Sequence, residues 1–95
     1  MSFGSTLMAK LSLGEVVVTK EALEAIKVAG QQPQDFLERH QNGDWGNLSS
    51  AESDENDRAL VNSSYVRSVY KTTRGTKLWV LTSSDRSTTT ILMAP

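Results

Sequence analysis

The last third of the chain, Tyr65 to Ala94, is the stretch that most narrows the possible folds. Val66, Ser68 and Tyr70 alternate with Tyr65, Arg67, Val69 and Lys71, the period-two pattern of a half-buried strand. Thr73-Arg74-Gly75-Thr76 supplies a glycine for a tight turn. Leu78-Trp79-Val80-Leu81 is apolar on both faces, as a central strand would be. Ser83-Ser84-Asp85-Arg86-Ser87 is a second turn, and the β-branched run Thr88 to Met93 closes the sheet before Pro95. Three strands and two turns follow.

The preceding residues read as helices. Thr19 is an N-cap for a helix over 20–28, with Leu23 and Ile26 on its apolar stripe and Glu21 near its positive end. Pro33 suits the first position of a second helix over 33–41, stopped by Asn42-Gly43. Ser49 and Glu52 form the capping-box pattern of a third helix over 51–61, whose apolar face is thin. Leu11 to Val18 is a weakly patterned strand, interrupted by Gly14. The expected class is α+β: two or three N-terminal helices packed on a C-terminal antiparallel β-meander of three to four strands. Residues 10–95 form one domain, and residues 1–9 are expected to be a flexible N-terminus.

Composition removes several function classes. With 95 residues the chain can bury one modest core, about 60–65% of its unfolded surface. The absence of cysteine rules out thiolate catalysis and thiolate metal sites. His40 is the only histidine and shares a helical face with Phe36 and Leu37, so neither a metal site nor a cofactor is expected. No apolar run approaches the length of about 20 residues that a membrane helix needs. The N-terminus lacks the pattern of a signal peptide, and a cytoplasmic location is expected.

Charge is unevenly spread. Residues 31–63 carry Asp35, Glu38, Asp44, Glu52, Asp54, Glu55 and Asp57 against Arg39 and Arg58, a net of −5. Residues 64–95 carry Arg67, Lys71, Arg74, Lys77 and Arg86 against Asp85, a net of +4. The simplest outcome is mutual compensation within the fold. The functional alternative is a two-signed surface that steers a charged partner.

Candidate binding residues come from this pattern. Asp44-Trp45 lies between Gly43 and Gly46, where a tryptophan either anchors a partner or folds over the core. Glu52, Asp54, Glu55 and Asp57 are the acids of the third helix, and Arg86 sits in the second turn, placed to bind phosphate or to pair with an acid. Trp79, in mid-strand, reads as core.

Gly43-Asp44-Trp45-Gly46, Asn56 with Ala59-Leu60, Gly75-Thr76-Lys77-Leu78-Trp79-Val80, and Asp85-Arg86-Ser87 followed by Thr89-Thr90-Ile91-Leu92 together resemble a family of short bacterial proteins. Its members are carried mostly on plasmids, phages and other mobile elements. The resemblance spans residues 11–94. It implies no catalytic residue, because no activity is assigned to that family. Where other members often have Thr-Glu-x-Asp-Arg-Ser, this chain has Ser83-Ser84 before Asp85 and lacks that acid.

Two functions of different classes follow as expectations. The first is a small non-enzymatic binding protein from a mobile element. It would act on a host protein or protein complex, in its narrowest form as an inhibitor of a host defence complex of the anti-CRISPR or anti-restriction kind. Its acids would cover a basic groove. The second is a toxin-like ribonuclease using Arg67, Tyr70, Lys77 and Arg86 on the sheet, although alternation places Arg67 and Tyr70 on opposite faces. A protein partner is favoured over nucleic acid. Lys71 and Arg67 discourage pairing at an outer strand, so a monomer or weak homodimer is expected.

Overall fold

The computed structural model describes residues 10–95, so the expectation of a flexible segment at 1–9 lies outside the described residues. The elements are β1 (Glu15–Val18), α1 (Lys20–Val28), α2 (Pro33–Gln41), α3 (Ser50–Asn62), β2 (Val66–Lys71), β3 (Lys77–Thr82) and β4 (Thr88–Met93). The class is α+β, with a four-stranded sheet in the order β1-β4-β3-β2.

β2 pairs antiparallel with β3, and β3 antiparallel with β4, as the turn chemistry requires. The expectation of a purely antiparallel sheet is corrected by β1, which pairs parallel with β4 from Glu15↔Thr88 to Val18↔Ile91. The reason is topological. Two helices and a third lie between β1 and the hairpins, and a crossover through helices returns a strand in parallel. The return places β1 outside β4, so Thr88–Met93 is an inner strand rather than an edge. Gly14 does not break β1 but starts it. Its φ is +64°, and a Cβ there would lie 2.4 Å from the Ser87 backbone, so only glycine lets the chain enter beside β4.

Each helix begins as its sequence dictates. The Thr19 hydroxyl accepts from the Ala22 amide at 3.3 Å. At the start of α2, Asp35 accepts from the Gln32 amide at 2.9 Å. At α3 the Ser49 hydroxyl accepts from the Glu52 amide at 3.2 Å while the Glu52 carboxylate accepts from the Ser49 amide at 3.1 Å, a complete capping box.

The helices cover one face of the sheet. Ala22 and Ile26 of α1 and Phe36 and Leu37 of α2 pack on Tyr70, Leu78, Val80 and Ile91. A second cluster joins Leu11, Trp45, Ala59 of α3 and Val66. Between the clusters runs a buried polar chain. The Thr89 hydroxyl donates to the Leu13 carbonyl at 2.8 Å, which leaves its oxygen to accept from Thr82 at 2.7 Å. The Thr82 oxygen must then accept from His40 Nε2–H at 2.9 Å, and His40 Nδ1 accepts from the Ser68 hydroxyl at 2.5 Å. Only the neutral imidazole protonated at Nε2 satisfies every group in this order. Burial, helped by the Arg86 charge, pushes His40 down to about 4.

Candidate binding surface

Strand alternation dictates what the helices leave uncovered. Across the register, Val17, Thr90, Leu81 and Arg67 lie in one row of the opposite face, and Leu92, Trp79 and Val69 in the next, where Val69, beside residues 45–47, is nonetheless buried. Val17 is 42% exposed, and Trp79, Leu81 and Leu92 are each partly exposed. Trp79 is therefore not a core residue as its sequence setting suggests. β3 is central within the sheet but buried on one side only, because all three helices pack elsewhere.

Arg67 joins this face to a second feature. Its guanidinium lies 4.7 Å from the centre of the Trp79 ring and donates to Glu52 at 2.8 Å. Glu52 borders a groove of about 290 Å³ between α3 and the start of β2, lined also by Glu55, Arg58, Tyr65 and Arg67. Tyr65 is 63% exposed. Its lining carries two carboxylates and two cations, and the Arg67–Glu52 pair joins the acidic middle of the chain to its basic end. The Glu52 carboxyl is held below its usual range by the Ser49 amide and hydroxyl and by Arg67.

Most of the residues singled out by sequence hold the fold. Asp44 accepts from Arg39 Nε at 2.7 Å and Nη2 at 3.2 Å, and also from the Gly46 amide, which lowers its pKa. Trp45 is 5% exposed. Its indole N–H donates to Asp57 at 3.0 Å and its ring meets His40 edge-on at 5.7 Å, so it is tucked over the core. Helical spacing sends Asp54 outward, Glu52 and Glu55 to the groove flank, and Asp57 to the opposite flank with Trp45. The five acids Asp44, Glu52, Asp54, Glu55 and Asp57 thus do not gather on one face; Asp54 and Glu55 alone among them make no hydrogen bond or ion pair with a described residue.

Arg86 is a latch. It adopts φ 62°, and its guanidinium donates to the carbonyls of Ala59 at 2.8 Å, Ser64 at 2.6 Å and Ser83 at 3.1 Å. A cation on the last-turn Ala59 carbonyl also suits the negative end of α3. The preceding Asp85 accepts from the Ser87 and Ser83 hydroxyls at 2.7 Å each, which hold its pKa down at about 2. Replacing Arg86 by Ala strips three carbonyls of a charged donor and is expected to cost about 2 kcal/mol, read by urea denaturation. Arg86→Lys should recover only part, since one ammonium cannot span the same fork. A cost near zero for Arg86→Ala would mean that the latch is not formed in solution.

The ribonuclease candidates do not converge. Tyr70 is buried on the helix-covered face, where its hydroxyl donates to the Asp44 carbonyl at 2.6 Å, and burial raises its pKa to about 12. Arg67 and Lys77 lie on the open face, whereas Arg86 caps α3. His40 is fully buried. Among the described residues no group of three or more His, Asp or Glu comes together as a metal site, and no helix is long and apolar enough to cross a membrane.

Sequence reading missed that Val17 is exposed and that Trp79, Leu81 and Leu92 are partly exposed on one open face. The available signal was arithmetic: three short helices can pave one face of a four-stranded sheet, and then half of β3 must face out. Comparison of the chain with protein-family models, curated proteins and solved structures found no match in any of the three.

Proposed function

We propose that the chain is a non-enzymatic binding protein that holds a protein partner on the open face of its sheet. The observation that carries this reading is the pair of adjacent rows on the open face that hold Val17 and Leu81, and Trp79 and Leu92, with Val17 exposed, the other three partly exposed, and Arg67 lying over the tryptophan. Apolar side chains gathered on one open face beside charged groups are a feature of partner surfaces. Trp and Arg are the residue types that dominate binding energy when a partner excludes water from them. The groove beside Tyr65 extends the surface, with Glu55 and Arg58 as its polar rim.

The test is capture of a partner from host lysate by the tagged chain, with and without nuclease, beside a Leu81→Lys variant checked for native circular dichroism. Retention of a stoichiometric protein complex by the parent and its loss from the variant is the expected result. A host defence complex as that partner would support the narrower reading that the resemblance raised. Equal capture by both chains, or capture of nucleic acid alone, would sink the proposal.

A further inference from the structure

A sheet of four strands has two edges, and in this molecule they are treated differently. At β2 the edge is closed. The Asn56 amide group donates to the Arg67 carbonyl at 2.7 Å and accepts from the Arg67 N–H at 3.2 Å, taking the place of a strand partner. Two residues on, the Val69 N–H donates to the Trp45 carbonyl at 3.1 Å and the Val69 carbonyl accepts from Asn47 at 2.7 Å.

At β1 the described residues build nothing comparable. The Glu15 and Thr19 amides point to β4, bonding Ser87 and Ile91 at 2.9 and 3.0 Å. Alternation then turns the N–H and C=O groups of Val16 and Val18 away from β4, and no described residue outside the sheet bonds them. Val16 and Val17 are 40% and 42% exposed. The strand Glu15-Val16-Val17-Val18 is short and carries one charge at its start, Glu15, but contains no lysine, proline or bulge, three of the devices that keep edges from pairing.

We propose that β1 is a self-association edge, on which a second copy of this chain pairs antiparallel through Val16 and Val18. The strand is complementary to itself under a two-fold axis at Val17. Val16 exchanges both backbone bonds with Val18 of the second copy, and the reverse pair does the same. Val17 meets its own counterpart side by side on the open face, extending the apolar row through both copies. Glu15 comes level with Thr19 of the second copy. Thr19 caps α1 and is followed by Lys20, so the carboxylate approaches the positive end of a helix and a cation rather than a like charge. The dimer pairs strand edges and leaves the partly exposed Trp79, Leu81 and Leu92 uncovered by the second copy, and so does not depend on the function proposed above.

Sedimentation equilibrium of the full chain over a range of concentrations tests this pairing. The parent is expected to dimerise reversibly. Val16→Pro deletes an outward donor without touching the bonds to β4 and should weaken the dimer at least about tenfold. Val17→Lys and Val17→Glu each set like charges opposite one another and should act similarly, whereas an equimolar mixture of the two should regain a heterodimer. Leu81→Lys should leave association unchanged, which separates this site from the open-face reading. A parent that stays monomeric at every concentration, a dimer indifferent to position 17, or failure of the mixture to associate would each overturn the proposal. The mixture gives that answer even if Val16→Pro does not fold.

Discussion

Gly46→Ala is expected to be the most damaging single-atom-scale change in this protein. Gly46 has φ +76°, and a Cβ built there would lie 2.1 Å from the Val69 carbonyl oxygen and 2.7 Å from the Tyr70 ring. The left-handed backbone alone costs an L-residue about 1–2 kcal/mol. The clash adds more, because the obstacle is strand backbone and a buried ring rather than the end of a flexible side chain. Together they should reach at least about 3 kcal/mol, a large share of the 5–15 kcal/mol typical of a small domain. Gly30→Ala is the control: φ is +72° but nothing lies within 4 Å, so it should show the backbone cost alone. Chemical denaturation of both variants separates the two contributions. If they destabilise equally, residues 45–47 do not lie against β2 in solution.

The second large effect is with pH. His40 has an ordinary value of 6.5 and is pushed to about 4 in the folded chain, first by burial and then by Arg86. The unfolded chain therefore takes up a proton that the folded chain refuses between those values. Stability is full above pH 6.5, falls by about 1.4 kcal/mol per unit as pH drops towards 4, and the His40 contribution is then exhausted, a loss of about 3 kcal/mol. The depressed carboxyls of Asp44, Glu52 and Asp85 have the same sign but act lower, below their ordinary values of 3.8, 4.5 and 3.8. Urea midpoints measured at intervals from pH 7.5 to 4 should show the His40 slope. His40→Gln should be less stable at pH 7, having lost the shape that joins Ser68 to Thr82, yet should be nearly flat from pH 6.5 to 5. A parent curve already flat over that interval would mean that the imidazole is hydrated or charged in the native state.

Both effects arise from loops and polar groups that local sequence rules describe only in part. The glycines flanking Asp44-Trp45 announce a bend, but not that the bend runs beside β2 and closes its edge. His40 sits on an apolar helical stripe, which marks it as inward. Its partners Ser68 and Thr82, and Thr89 beyond Thr82, are separated from it by 28 residues or more, and no periodicity connects them.

What the chain alone determined is local. Caps at Thr19 and Ser49, Pro33, and the two glycine- and serine-rich turns set three helices and three strands close to where they are found, because each depends on neighbours within one turn. Tertiary structure decided the rest. The partner of β1 could not be read, since four residues with one β-branched run fit an edge in either direction. Which acids are free could not be read either, because Asp57, Glu52 and Asp44 are occupied by Trp45, Arg67 and Arg39, two of them distant in sequence. Arg86 looked like a ligand for an anion and became a cap for α3, since only the folded chain brings the last turn of that helix to the β3–β4 turn. The same packing, by placing α1 and α2 on one side of the sheet and α3 against the β2 edge, left Trp79 partly exposed.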